Sequence, residues 1–257
     1  MSFGARRVPG LRREELAQLA GISATYYTRL EQGQSTAASR SVVDALARAL
    51  QLDADEAAHL HELARPDALP RARRRRVEQA GPDSARLVMA MRDVPTVMLN
   101  HRTDVLCWNP IAHRLLAGHL DFGDPAHPTR RPNLNRMLFL DPHTRELHRN
   151  WHEEAIRSVA SLRQAAGRYL DDRHLEELVG ELSVNSTEFA SMWASQTVRR
   201  CVSGLKQLHH PVVGDLDLRF QALQLPDDSG HRLLTHVAIE ASASAAALTL
   251  LAPRADA

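Results

Sequence analysis

Residues 11–33 read LRREELAQLAGISATYYTRLEQG. Leu11, Glu15, Leu16 and Leu19 recur at helical rather than alternating spacing. Ala20 and Gly21 follow, and glycine reaches positive φ without steric cost, so the spacing predicts a corner there. Ser23 has the chemistry of an N-cap for a second helix, which Gly33 ends. Two short helices joined by a glycine-containing turn form a helix-turn-helix, whose second helix enters the DNA major groove.

Within the second helix, Tyr27 and Leu30 are expected to face inward with Ile22 behind them. Ala24, Thr25, Thr28 and Arg29 are then left facing outward. Thr25 and Thr28 suit base edges or a thymine methyl, and Arg29, farther down the helix, suits a phosphate. Ser23 sits at the helix start, Tyr26 at the groove edge, and Gln32 within reach of a phosphate. Arg12 and Arg13 open the first helix, which crosses the DNA backbone in this motif, so they read as phosphate contacts.

The strings LAQLAG (16–21), Ile22-Ser23 and LEQG (30–33) resemble the Xre or lambda-repressor-like helix-turn-helix family. The longer VPGLRREELAQLAGISATYYTRLEQG (8–33) resembles actinobacterial MmyB-like regulators, which join such a domain to a PAS-like ligand-binding domain. Further strings resemble the same family in order: DVLCWNPIAHRLL (104–116), RPNLNRMLFLDP (131–142), GELSVNSTEFASMWASQTV (180–198) and HPVVGDLDLRFQALQLPDD (210–228). The resemblance runs from Val8 to about Leu251. Relatives carry another helix before RRVPG, and residues 1–10, MSFGARRVPG, leave that helix missing or shortened. A smaller helix-turn-helix core is the expected result.

The chain has 257 residues, enough for two domains, and its 44% hydrophobic content supports packed cores. Net charge is +1, so the molecule as a whole is no polycation. Charge is local instead: residues 1–40 hold six Arg against three Glu, and RARRRR (71–76) adds five more Arg. Cys107 and Cys201 form no disulfide framework or CxxC pair, which suits a reducing cytoplasm. No apolar run is long enough to span a membrane, and no signal peptide is visible.

Two domains and a linker follow from this: 1–65 as the helix-turn-helix bundle, 66–82 as a basic linker, and 83–257 as the PAS-like domain. In the first, Ser39 caps a helix with Val42, Val43, Leu46 and Leu50 as its buried stripe, and Asp53 to Glu56 reads as a capping box opening a helix through Ala64. In the linker the arginine run is either a solvated face or an arm on the DNA backbone. In the third, Leu87 and Met91 suggest a helix to Arg92, and PTVMLN (95–100) and DVLCW (104–108) form a hairpin. Asn109 caps a helix with Pro110 in its first turn, running through His119.

Helices are predicted from Asp141-Pro142, over 151–166 and from Asp171-Asp172 to Leu182, with a capping box at Asn185 to Glu188. Leu216, Leu218 and Phe220 then alternate with polar residues, and a phase slip at Ala222-Leu223 predicts a bulge. Asp227 to Gly230 is a turn, Leu233 to Ile239 the return strand, and 241–251 a closing helix. Val212 and Val213 lie just before the first strand. The fold class is therefore α+β: an all-α lambda-repressor-like bundle, then an antiparallel sheet with helices on one side.

Fourteen His invite a metal reading, but the pairs His148/His152, His59/His61 and His209/His210 lack a third ligand at zinc spacing, and HEEAI at His152 is not HExxH. No GxSxG, Walker loop or GxGxxG occurs, so neither catalysis nor a metal or cofactor is expected. The MmyB-like resemblance implies a small hydrophobic ligand, fatty-acyl or otherwise, in the second domain. Its lining is expected from Val97, Leu99, Leu106, Trp108, Leu115, Met137, Phe139, Trp193, Leu218 and Phe220, with plain core packing as the competing role of each. Asn109, Asn133, Arg136 and His210 are the polar candidates for its headgroup, and Cys107 reads as a buried small residue.

The function expected is a cytoplasmic, sequence-specific transcription regulator that binds double-stranded DNA as a homodimer on an inverted-repeat operator. One helix-turn-helix buries too little for tight binding, and two-fold proteins match two-fold sites. The alternative is a protein-interaction module with an inactive DNA-binding domain.

Overall fold

A computed structural model describes residues 11–34, 38–64, 78–195, 203–226 and 230–252, apart from the side chains of Asp55 and Glu62. The arginine run at 71–76, residues 1–10, Cys201 and most of the 227–230 turn lie outside the described residues. The chain divides into two compact units, 1–69 and 70–257.

The first unit has four described helices: α1 (Arg13–Leu19), α2 (Ala24–Glu31), α3 (Arg40–Ala49) and α4 (Ala54–Leu63). Local hydrogen bonds set most of the boundaries. Ser23 accepts from the Tyr26 N–H at 3.1 Å, and Ser39 caps α3 through the Val42 N–H. Asp53 and Glu56 exchange two 2.9 Å bonds, the reciprocal capping box the spacing predicts. Leu16, Ala20 and Leu46 are the centre of the core, with Ile22, Tyr27 and Leu30 packed on it. The predicted stripes are too broad. Leu11, Leu19 and Leu50 are exposed, because the inner face of α1 passes through Leu16, Ala17 and Ala20, and that of α3 through Val43, Leu46 and Ala47.

The second unit is a five-stranded antiparallel sheet with helices. Its strands are β1 (Thr96–Leu99), β2 (Val105–Trp108), β3 (Ser203–His210), β4 (Gly214–Gln224) and β5 (Arg232–Ala238), in the order β2-β1-β5-β4-β3. The helices are α5 (Pro82–Ala90), α6 (Pro110–Ala117), α7 (Leu134–Leu140), α8 (Pro142–Leu147), α9 (Trp151–Arg168), α10 (Arg173–Asn185), α11 (Thr187–Ala194) and α12 (Ala243–Leu251).

Two expectations about the sheet change. No bulge interrupts Ala222-Leu223: β4 pairs β5 in one register from Leu218–Ala238 to Gln224–Arg232, and Leu223 points to solvent. The irregularity lies instead in β2, where Leu99 pairs with Val105 but Met98 with Cys107. The extra residue is Leu106, which packs with Met98, Leu233 and Val88 of α5. That cluster places α5 against the sheet face opposite the main core, so helices cover parts of both faces. β3 was not read as a strand at all, and Ser186 rather than Asn185 caps α11. Leu87 is exposed, and Val88 is the buried residue of α5.

Two apolar clusters fill the unit. One lies on the sheet, formed by Val97, Leu99, Leu208, Leu216, Leu218 and Phe220 under α6, α8 and α12. The other is helical, with Ala155, Val159, Leu162 and Ala165 of α9 against Leu138, Phe139, Leu175, Leu178, Leu182 and Phe189.

A buried ionic cluster fixes residues 78–81 to this unit. Arg102 donates to Glu78 at 2.7 Å, Asp172 at 2.8 Å and Asp104 at 3.1 Å. His101 pairs with Asp172 and stacks on Tyr169, while His231 and Asn100 add bonds to Glu78. Burial alone would raise the Glu78 pKa, but His231, Arg102 and Asn100 together hold it at about 2, below the ordinary 4.5. Its stabilising effect is therefore complete above pH 4.5 and lost as pH falls toward 2. Thermal unfolding followed from about pH 6 to about pH 2 should show stability falling through that window. Glu78→Gln should lower stability near neutral pH and flatten the acid limb; an unchanged limb would assign the acid sensitivity to other carboxylates.

Candidate functional site

The DNA-facing candidates lie on one short segment. After α1, the Ile22 N–H bonds the Ala17 carbonyl at 3.0 Å and Gly21 sits at φ +69°, which turns the chain sharply. The cap at Ser23 then starts α2. Ala24, Thr25 and Arg29 are exposed along its outer side, while Tyr26 and Thr28 are half-buried. The Thr28 hydroxyl donates to the Ala24 carbonyl at 2.9 Å, so its methyl and its lone pairs remain for a partner. The Ser23 hydroxyl is already used as the cap. Arg12 and Gln32 are exposed at the two ends of the motif. Arg13 differs from expectation: its Nε is bound to the Glu31 carboxylate, tying the start of α1 to the end of α2. Both partners are solvent-exposed, so the pair adds little stability, but it takes part of the charge offered to a phosphate.

The ligand-facing candidates do not converge on one cavity. Val97, Leu99, Trp108, Leu115, Met137, Leu218 and Phe220 belong to the cluster on the sheet. Phe139 and Trp193 belong to the helical cluster, and Leu106 lies on the far sheet face. The four polar candidates are occupied within the chain. Asn109 accepts from the N–H groups of Thr96 and Ala112 and donates to the carbonyls of Met91 and Val94. Asn133 accepts from Asn135, Arg136 and Thr103 and donates to Arg102 and Asp104. Arg136 grips Glu181 bidentately. His210 meets the Arg114 carbonyl and the N–H groups of Val212 and Val213. These residues pin loops and helix starts rather than waiting for a headgroup.

A polar seam that the sequence reading missed lies between the two apolar clusters, under α9, and it contains the buried, unpartnered His236. That helix turns its apolar side to α10 and α11. Its polar side runs through Glu154, Ser158 and Ser161, which meet Lys206, Asn135 and Arg232 respectively. Lys206 is 7% exposed and bonds Glu154 at 2.5 Å. Burial would raise the Glu154 pKa, yet Lys206 beside it holds the carboxyl at about 2. Burial and then Lys206 push His148 down to about 4.

His236 is paired across the strands with Phe220 and is fully buried, and neither ring nitrogen has a hydrogen-bond partner. Burial and then Lys206 push its pKa down to about 3, so it is a neutral imidazole. Arg232, two pleats along the same side of β5, reaches the Ser161 hydroxyl at 3.5 Å. A cavity of about 110 Å³ opens beside this seam, lined by His148, Asn150, Glu153, Glu154, Arg157, Leu205, Lys206 and Gln207. None of the expected apolar lining residues borders it. Cys107 is half-buried, and burial pushes its thiol up to about 11, which makes it inert at neutral pH.

Residues 80–251 match the family of MmyB-like transcription regulator ligand binding domains, well over half of the chain. The chain belongs to the MmyB-like regulators. Residues 5–60 of this MmyB-like regulator match a helix-turn-helix domain family. No curated protein matches the chain. The two matches make it a DNA-binding transcription regulator that carries a ligand-binding domain. Among the described residues no helix is long and apolar enough to cross a membrane.

The seam gives a direct test. A buried polar atom without a partner costs about 1–3 kcal/mol. His236→Leu should therefore stabilise the ligand-free protein by about 1 kcal/mol, read as a higher Tm. Asn109→Ala, which strands two buried N–H groups and two carbonyls, should destabilise it by about 2–4 kcal/mol. A loss of stability in His236→Leu would mean that the imidazole has a partner when the protein is folded in solution.

Proposed function

We propose that the MmyB-like regulator binds a specific operator through α2, as a homodimer on an inverted repeat, and that a small ligand with an apolar body controls this binding. The observation that carries the DNA-binding part is the capped, glycine-turned α2 with Ala24, Thr25 and Arg29 exposed on its outer side. Thr25 reads a base edge or a thymine methyl, and Arg29 and Arg12 neutralise phosphates. The local excess of arginine supplies the sequence-independent attraction.

The ligand reading rests on the seam under α9. The cavity beside it is lined by Arg157, Lys206 and other polar side chains that suit a polar end, with His236 and Arg232 next to it, and an apolar body would enter by parting the packed cluster on the sheet. A ligand that binds one conformation better shifts the population toward it, which is how occupancy would reach the operator.

Binding of the purified full-length protein to the DNA upstream of its own gene, across a salt series, tests the DNA-binding part. Wild type should bind specifically, with affinity falling as salt rises. Thr25→Ala should lose about 10-fold in specific affinity and little in non-specific affinity. Arg29→Ala should weaken both and reduce the salt slope by about 1. Absence of specific binding at every salt concentration would overturn the operator reading in favour of a protein-interaction module.

A further inference from the structure

Three side chains at the corner between α6, α7 and α8 have no place in the reading above. His119 follows the end of α6. Asp141 joins the end of α7 to the start of α8, and His143 lies in the first turn of α8. The His119 Nε2 is 2.9 Å from Asp141 Oδ2, and the His143 Nδ1 is 3.4 Å from Asp141 Oδ1. The two imidazoles lie parallel, 9° apart, with centroids 4.5 Å from one another. One ligand atom from each of the three residues falls within 4.8 Å of the others.

We propose that His119, Asp141 and His143 form a binding site for a divalent transition-metal ion of the zinc, cobalt or nickel type. Two imidazoles and one carboxylate are a borderline-soft donor set, suited to these ions rather than to calcium or magnesium. Ligand-to-metal bonds of about 2.0–2.2 Å require donor atoms roughly 3–3.5 Å apart. The observed spacing reaches that by small side-chain rotations of two imidazoles at the surface.

The carboxylate is already held for the task. The Thr144 hydroxyl donates to Asp141 Oδ2 at 2.7 Å, and the His143 N–H donates to Asp141 Oδ1 at 3.1 Å. Outer bonds of this kind orient a ligating carboxylate. Three protein donors leave at least one coordination position open to water or to a small donor molecule. The ion would staple the end of α6 to the α7–α8 corner. Spacing rules do not show the set because His119, just past α6, is distant in sequence from Asp141 and His143 at the start of α8.

Cobalt(II) titration of the full-length protein tests the site, with zinc competition and Tm as further readouts. His119→Gln and His143→Gln change surface side chains and should leave the fold intact, which circular dichroism checks. Wild type should bind one equivalent with visible d–d absorption that zinc displaces. At about 100-fold excess of zinc over its Kd, Tm should rise by roughly 5–10 °C. Each variant should lose the absorption and weaken binding by at least about 10-fold. Binding that is equal in wild type and both variants would place the ion on other histidines and overturn the assignment. Absence of a stoichiometric site in wild type would overturn it as well.

Discussion

Lys206 and Glu154 form the buried ion pair between the sheet and the helical half of the ligand-binding unit. Lys206 comes from the sheet and is buried, and Glu154 comes from α9 with its side chain 14% exposed. Either charge left alone there would cost several kcal/mol, whereas the pair restores most of that through Coulomb attraction and a short hydrogen bond. The pairing therefore fixes which side of α9 faces the sheet. Once Glu154 is placed, Ser158 and Ser161 follow on the same side at helical spacing. Ala155, Val159, Leu162 and Ala165 are then turned toward α10 and α11. The ion pair, with the Ser158–Asn135 and Ser161–Arg232 bonds beside it, fixes the orientation of an 18-residue helix whose other side carries the second apolar cluster.

The Arg102 cluster follows the same rule at another edge of the unit. Three carboxylates are held by one guanidinium, two imidazoles and an amide, so the charges are shared among many hydrogen bonds rather than left in single pairs. Such a network specifies one arrangement of the β1–β2 turn, the α10 start and residue 78, because partial satisfaction is worse than an apolar core. His236 breaks the rule. It stands on the same side of β5 as Arg232, inside the same seam, and neither of its ring nitrogens has a hydrogen-bond partner.

What the sequence disclosed follows from how local each interaction is. The helix-turn-helix was legible because its signals are made within four residues: the Ser23 cap, the Gly21 corner and the Asp53–Glu56 box. The first hairpin and the Asn109 cap were legible for the same reason. β3 was hidden because its inward positions are Lys206, Leu208 and His210, while Leu205 faces out, so hydrophobicity does not alternate with burial. The β2 irregularity was hidden because nothing in VLCW marks an extra residue; the register belongs to the pairing with β1. A buried Asn looks alike in sequence whether its partners are backbone groups or a ligand. Only the distances to Met91, Val94, Thr96 and Ala112 decide that for Asn109.

The unanswered groups of the seam also set the scale of any control the ligand exerts. A ligand changes an equilibrium only by its differential affinity for the two states. Apolar contact alone discriminates weakly between two packings that both bury the same surface. A polar end that completes hydrogen bonds to His236 or Arg232 in one packing, and strands them in the other, adds about 1–3 kcal/mol per group. That is the size of a typical coupling free energy between two sites. A buried polar group short of a partner, as His236 is, carries a cost of that same magnitude.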